Sequence, residues 1–119
     1  MNRILIVDDD ASVRSLLARY VASDRRLKTI EASNGAEALG LLREHRDVSA
    51  IVLDLRMPVM DGWAFRKEQR RDPALSHIPV IVVSGADADR FHELDAAATF
   101  EKPVPLATLL GAVQRVCGY

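Results

Sequence analysis

Polar groups with chemical potential interrupt an otherwise aliphatic chain at four separated places. Asp8-Asp9-Asp10 follows Ile4-Leu5-Ile6-Val7, and Asp54 follows Ala50-Ile51-Val52-Leu53. Ser84 follows Val80-Ile81-Val82-Val83, and Lys102 comes just after Ala98-Thr99-Phe100. Brought together, Asp8, Asp9 and Asp54 would crowd three negative charges into one hollow. Such crowding raises each carboxyl pKa and opposes folding unless it is neutralised. A divalent cation plus the Lys102 ammonium balances the formal charge. The donors are all oxygen, with no Cys or His beside them, which selects Mg2+ or Mn2+. Mg2+ held by one or two carboxylates keeps water that a phosphate oxygen can replace. A plainer reading makes Asp8, Asp9 and Asp10 turn and helix-cap residues and Lys102 a structural ion-pair partner. That reading leaves at least two carboxylates uncompensated.

The apolar runs before these residues read as strands. Runs 4–7, 50–53 and 80–83 are continuous and branched, as in parallel strands covered by helices on both faces. Leu27-Lys28-Thr29-Ile30 alternates and suits an edge, and 98–100 is a weaker fifth strand. Helical periods lie between them. Val13, Leu16, Leu17, Tyr20 and Val21 share one face. Asn34 with Glu37 resembles a capping box ahead of Ala38, Leu41 and Leu42. Asp61 can cap a helix carrying Ala64, Phe65 and Glu68. The stretch 87–94 is a poor, short helix, and Pro105 suits the first turn of a last helix with Leu106, Leu109, Leu110 and Val113. This alternation predicts a single α/β domain, a three-layer (βα)5 unit with a parallel five-stranded sheet and right-handed crossovers. The expected strand order is 2-1-3-4-5, the flavodoxin-like arrangement, with function at the carboxyl ends of the strands beside the β1/β3 switch point.

Composition narrows the function classes. The chain has 119 residues, 49% hydrophobic and only 5% aromatic, so its core is mainly aliphatic. Sixteen basic and 17 acidic residues give a net charge of −1, with no basic run of the kind that binds nucleic acid or membrane. Arg66, Lys67, Arg70 and Arg71 read as a solvated helix face. A single cysteine, Cys117, fits a reducing compartment, and no apolar run approaches a membrane span. A cytoplasmic location is expected. His45, His77 and His92 lack metal-like spacing, and Gly35, Gly62 and Gly85 read as turn residues.

With these residues in view, the chain resembles the response regulator receiver domains of two-component signalling. Val7-Asp8-Asp9-Asp10 looks like the family's acidic pair, and the segment from Val52 to Gly62 resembles its phosphoacceptor segment. Val82-Val83-Ser84-Gly85-Ala86 is similar to its switch hydroxyl segment, and Glu101-Lys102-Pro103 to its lysine-proline element, whose peptide bond is usually cis. The resemblance covers the whole chain, 1–119, with no output domain. It implies that Asp54 accepts a phosphoryl group from a phosphohistidine on a sensor histidine kinase or histidine phosphotransfer protein. Asp9, Asp54 and the backbone carbonyl of Arg56 would bind the cation, with Asp8 acting through water. Lys102 and Ser84 would contact the phosphoryl oxygens. The resulting surface change would fall on the fourth helix, fifth strand and last helix, altering binding of a downstream protein target or allowing a homodimer there. No catalysis beyond the chain's own phosphorylation and dephosphorylation is implied.

The chain departs from the family pattern at the switch aromatic. Thr99 stands three residues before Lys102, and Phe100 follows it, on the opposite face of an alternating strand. Competing readings fare less well. A phosphate-cradling cofactor binder would not place Asp8-Asp9-Asp10 after its first strand, and an aspartate-nucleophile phosphatase would want an acid where Arg56 stands. A receiver-fold interaction module without productive phosphorylation is the alternative.

Overall fold

The computed structural model describes residues 2–119. Five strands alternate with helices: β1 (Asn2–Val7), α1 (Ala11–Ala22), β2 (Leu27–Ala32), α2 (Gly35–Glu44), β3 (Val48–Leu53), α3 (Gly62–Arg71), β4 (Val80–Ser84), the 3-10 helix η1 (Ala88–Leu94), β5 (Ala98–Glu101) and α4 (Leu106–Val116). The sheet order is β2-β1-β3-β4-β5 and every pairing is parallel. The predicted strand order is therefore the observed one, with the alternating β2 and the short β5 at the two edges.

The continuous apolar runs are buried on both faces. Leu5, Val7, Ile51, Leu53, Val80 and Val82 pack toward α2, α3 and η1. Ile4, Ile6, Ala50, Val52, Ile81 and Val83 pack toward α1 and α4. Two cores thus flank one sheet, which gives three layers. At about 25 cal/mol per Å2 of apolar surface removed from water, aliphatic side chains like these supply the main driving force.

Local signals fix where the helices begin. Asp10 caps α1, its Oδ1 accepting from the Ser12 and Val13 amides at 3.0 and 3.2 Å. Asp61 caps α3 through the Ala64 amide at 2.8 Å. Asn34 caps α2 through the Glu37 amide at 2.9 Å. The return half of the capping box differs from expectation: the Glu37 carboxylate reaches the Ser33 amide and hydroxyl instead of Asn34. Pro105 sits one residue ahead of α4, at its cap, rather than in its first turn. The weak 87–94 stretch forms only a 3-10 helix, entered and left through left-handed residues Asp87 and Asp95.

Two expectations are corrected. Gly35 and Gly62 are the first residues of helices, not turn residues, and close approach explains them. A Cβ on Gly62 would lie 2.6 Å from the Asp54 carbonyl oxygen, and one on Gly35 would lie 2.9 Å from the Met60 carbonyl oxygen. Arg66 does not share the solvated face of α3. It is buried, donating to the carbonyls of Leu94 and Asp95 at 2.9 and 2.8 Å and to Gln69 at 2.8 Å. Burial, together with the charge of Arg70, pushes its pKa down. Its role is to tie the end of η1 to α3, because those last carbonyls have no partners within the helix.

Candidate functional site

Sheet register brings the polar strand ends together. Val7 pairs with Leu53, so Asp8 and Asp54 emerge side by side, and the Asp54 amide donates to the Val7 carbonyl at 2.9 Å. Ser84 pairs with Glu101, so Lys102 emerges beside Ser84, its amide bonded to the Ser84 carbonyl at 2.9 Å. The Lys102-Pro103 bond is cis. Residues 8, 54, 84 and 102 thus share the carboxyl edge of the sheet, where α/β folds concentrate function.

One carboxylate oxygen from each of Asp8, Asp9 and Asp54 lies within 4.8 Å of the others. Asp8 and Asp54 are buried, whereas Asp9 is exposed. The Lys102 ammonium donates to Asp8 Oδ2 at 2.8 Å and stands 3.7 Å from Asp54 Oδ2. Asp8 Oδ1 accepts from the Asp10 amide and Asp54 Oδ1 from the Leu55 amide, each at 2.9 Å. Burial, reinforced by the Asp8 charge, pushes the Asp54 pKa up, against the pull of Lys102 and the Leu55 amide. Burial works against the Lys102 charge, yet the Asp8 hydrogen bond and the neighbouring carboxylates raise its pKa overall. Three acids against one ammonium leave the cluster net negative, and its donors are hard oxygens. The donor set fits a small divalent cation.

Ser84 lies beside this cluster with an unusual feature. Its hydroxyl is buried, in a residue 1% exposed, and among the described residues it makes no hydrogen bond of good geometry, although its nearness to Asp54 helps hold that carboxyl's pKa down. A buried orphan hydroxyl costs about 1–3 kcal/mol, and such exceptions call for an explanation. Arg56 follows Asp54 by two residues. Its side chain points outward, 66% exposed, and forms a two-bond ion pair with Asp87.

Thr99, at the position of the family's switch aromatic, and Phe100 beside it do not join this group. Thr99 is exposed on β5, in a groove with Phe91, His92, Asp95 and Ala96. Phe100 points to the opposite face and packs with the α1–α4 core. Other contributors lie outside the sequence motifs. Arg14 donates to the Asp8 carbonyl at 2.9 Å and pairs with Glu31 at 3.1 Å. Asp87 holds Arg56, and the Leu55 amide orients Asp54. Backbone donors and long-range ion pairs of this kind leave no local sequence signal.

Comparison with known proteins follows the same lines. The sequence profile of the response regulator receiver domain matches residues 4–114. The protein-glutamate methylesterase/protein-glutamine glutaminase 1 of Paramagnetospirillum magneticum is 34% identical over 93% of this chain. The response regulator PleD of Caulobacter vibrioides is 36% identical over 94% of it. The chain spans only 30% and 25% of the length of those two relatives. The solved structure of the chemotaxis response regulator CheY4 of Vibrio cholerae superposes with a TM-score of 0.85 at 29% identity, covering 98% of both chains. By sequence and by fold, this chain belongs to the response regulator receiver domain family.

Proposed function

We propose that the chain is a phosphoacceptor switch in which Asp54 takes a phosphoryl group from a phosphohistidine on a sensor kinase or phosphotransfer protein. The observation that carries this reading is the meeting of Asp8, Asp9 and Asp54 within 4.8 Å, with the Lys102 ammonium at their side. In the transfer, an Asp54 carboxylate oxygen attacks phosphorus. The bond from phosphorus to the imidazole nitrogen breaks, its electron pair stays on the ring, and the ring takes a proton from solvent. Such a reaction needs positioning and charge neutralisation more than covalent help.

Each side chain has a task in that scheme. The Leu55 amide holds the Asp54 carboxylate in one orientation. Asp9 and Asp54 would hold Mg2+ or Mn2+ directly, Asp8 through water, and Arg56 through its backbone carbonyl. The bound cation offsets the repulsion between the anionic nucleophile and the anionic donor. Lys102 is poised to exchange part of its bond with Asp8 for a phosphoryl oxygen. The orphan Ser84 hydroxyl gains an acceptor when that group arrives. Phosphorylation adds roughly −1.5 to −2 charge and new acceptors, and the altered surface around η1, β5 and α4 changes binding of a downstream protein or of a second copy.

Borohydride reduction after incubation with acetyl phosphate and Mg2+ tests the assignment, because it converts an aspartyl phosphate to homoserine. Peptide mass mapping is expected to find homoserine at position 54. Homoserine at another position, or at none, contradicts the proposal.

A further inference from the structure

The Arg56 guanidinium grips the Asp87 carboxylate with two hydrogen bonds, Nε to Oδ2 at 2.7 Å and Nη2 to Oδ1 at 3.0 Å. The pair ties together the two loops that border the acidic hollow. Arg56 comes two residues after Asp54, and Asp87 three residues after Ser84. Asp87 also opens η1. It does so in the left-handed conformation, φ 65°, which is uncommon outside glycine and which aspartate tolerates better than most residues. Its carboxylate makes no cap bond to that helix, so its hydrogen-bonding capacity goes to Arg56. The far end of η1 is pinned separately, by the Arg66 bonds to the Leu94 and Asp95 carbonyls.

Charge decides where Arg56 goes next. Before phosphorylation, Asp8, Asp9 and Asp54 are balanced by Lys102 and a divalent ion. Afterwards Asp8, Asp9 and a phosphoryl group of up to about −2 leave about one negative charge uncompensated. Arg14 is already committed to the Asp8 carbonyl and to Glu31. Arg56 is the mobile partner of the pair: its side chain is 66% exposed, against 18% for that of Asp87, and it stands 5.5 Å from the centre of the Trp63 ring. A guanidinium fork suits phosphoryl oxygens as well as it suits a carboxylate.

We propose, resting on the phosphoacceptor reading, that Asp87 is a positioning residue that holds Arg56 in reserve. Phosphorylation of Asp54 transfers Arg56 from Asp87 to the phosphoryl oxygens and unties the start of η1. The output is a loosening of residues 86–92, hinged on the end that Arg66 retains. This route needs no aromatic partner at position 99.

Amide hydrogen exchange tests it, with beryllofluoride and Mg2+ as the phosphoryl stand-in and fluorine NMR to verify binding. Residues 86–92, including the Arg90 amide that bonds the Asp87 carbonyl at 2.9 Å, are expected to exchange about fivefold faster in the loaded wild type, the effect of losing one modest tie. Asp87→Asn should show that faster exchange without beryllofluoride. Arg56→Ala should show it too, and should gain no further acceleration at a beryllofluoride concentration raised until fluorine NMR shows its site filled. Binding without acceleration in the wild type overturns this proposal alone, as does a wild-type response in Arg56→Ala. Absence of bound beryllofluoride in the wild type overturns the phosphoacceptor reading and this proposal with it.

Discussion

Lys102 Nζ donates to Asp8 Oδ2 at 2.8 Å, joining residues 94 positions apart in the sequence. This bond closes the carboxyl edge of the sheet, from the end of β1 to the end of β5.

Replacing Lys102 with Met should destabilise the metal-free protein by about 1–3 kcal/mol, because breaking a largely buried ion pair leaves its partner acid uncompensated. Urea denaturation measures the difference. The raised Lys102 pKa sets the pH dependence. The stabilisation is fully present below the ordinary lysine pKa and is lost as pH rises through the raised one. An unchanged midpoint in Lys102→Met would contradict the electrostatic picture.

Asp54→Asn should have the opposite effect on the metal-free protein. The Asp54 pKa is raised in the fold, so its charge opposes folding. Nothing is lost while the group is protonated in both states. The penalty then grows as pH rises from about 4 through the raised pKa. The variant's advantage over wild type should therefore appear across that window and then level off. Paired stability curves from acid to neutral pH read it directly. A constant difference across the window would contradict the assignment.

Asp9 separates metal binding from folding. It is exposed and belongs to the acidic cluster. Asp9→Ala should stay within about 0.5 kcal/mol of wild type without metal. In wild type, Mg2+ at about a hundred times its dissociation constant should add about 2.7 kcal/mol. The variant should lose most of that gain in a thermal melt series. Equal Mg2+ responses in the two proteins would exclude Asp9 as a ligand.

Gly62→Ala probes the floor of the site. Its Cβ would meet the Asp54 carbonyl at 2.6 Å and the Leu55 Cα at 2.8 Å, both backbone atoms that cannot step aside cheaply. A loss of about 1–3 kcal/mol is expected from this overpacking, with weaker Mg2+ binding because residues 54 and 55 shift. Chemical denaturation and a Mg2+ titration check the two parts.

Much of this arrangement is legible in the amino-acid sequence. Branched apolar runs ending in Asp8, Asp54 and Ser84 carry both the sheet and the placement of its chemistry, because a buried parallel strand has to read that way. Asp10 and Asp61 announce the starts of α1 and α3 as caps. What escapes is set by tertiary context. Arg66 looks like one more surface cation of α3, and only the approach of η1 turns it into a buried tie. Arg56 and Asp87 lie 31 residues apart, and no periodicity links them. Gly62 reads as a turn glycine until the nearby backbone of Asp54 and Leu55 shows why no larger residue fits.

The most direct test of the central claim is intact mass spectrometry after incubation with acetyl phosphate, on wild type and Asp54→Asn, with and without Mg2+. One added phosphoryl group in wild type with Mg2+, and none in the other three samples, is the expected result. Equal labelling of wild type and Asp54→Asn, or an unlabelled wild type in the presence of Mg2+, would contradict it.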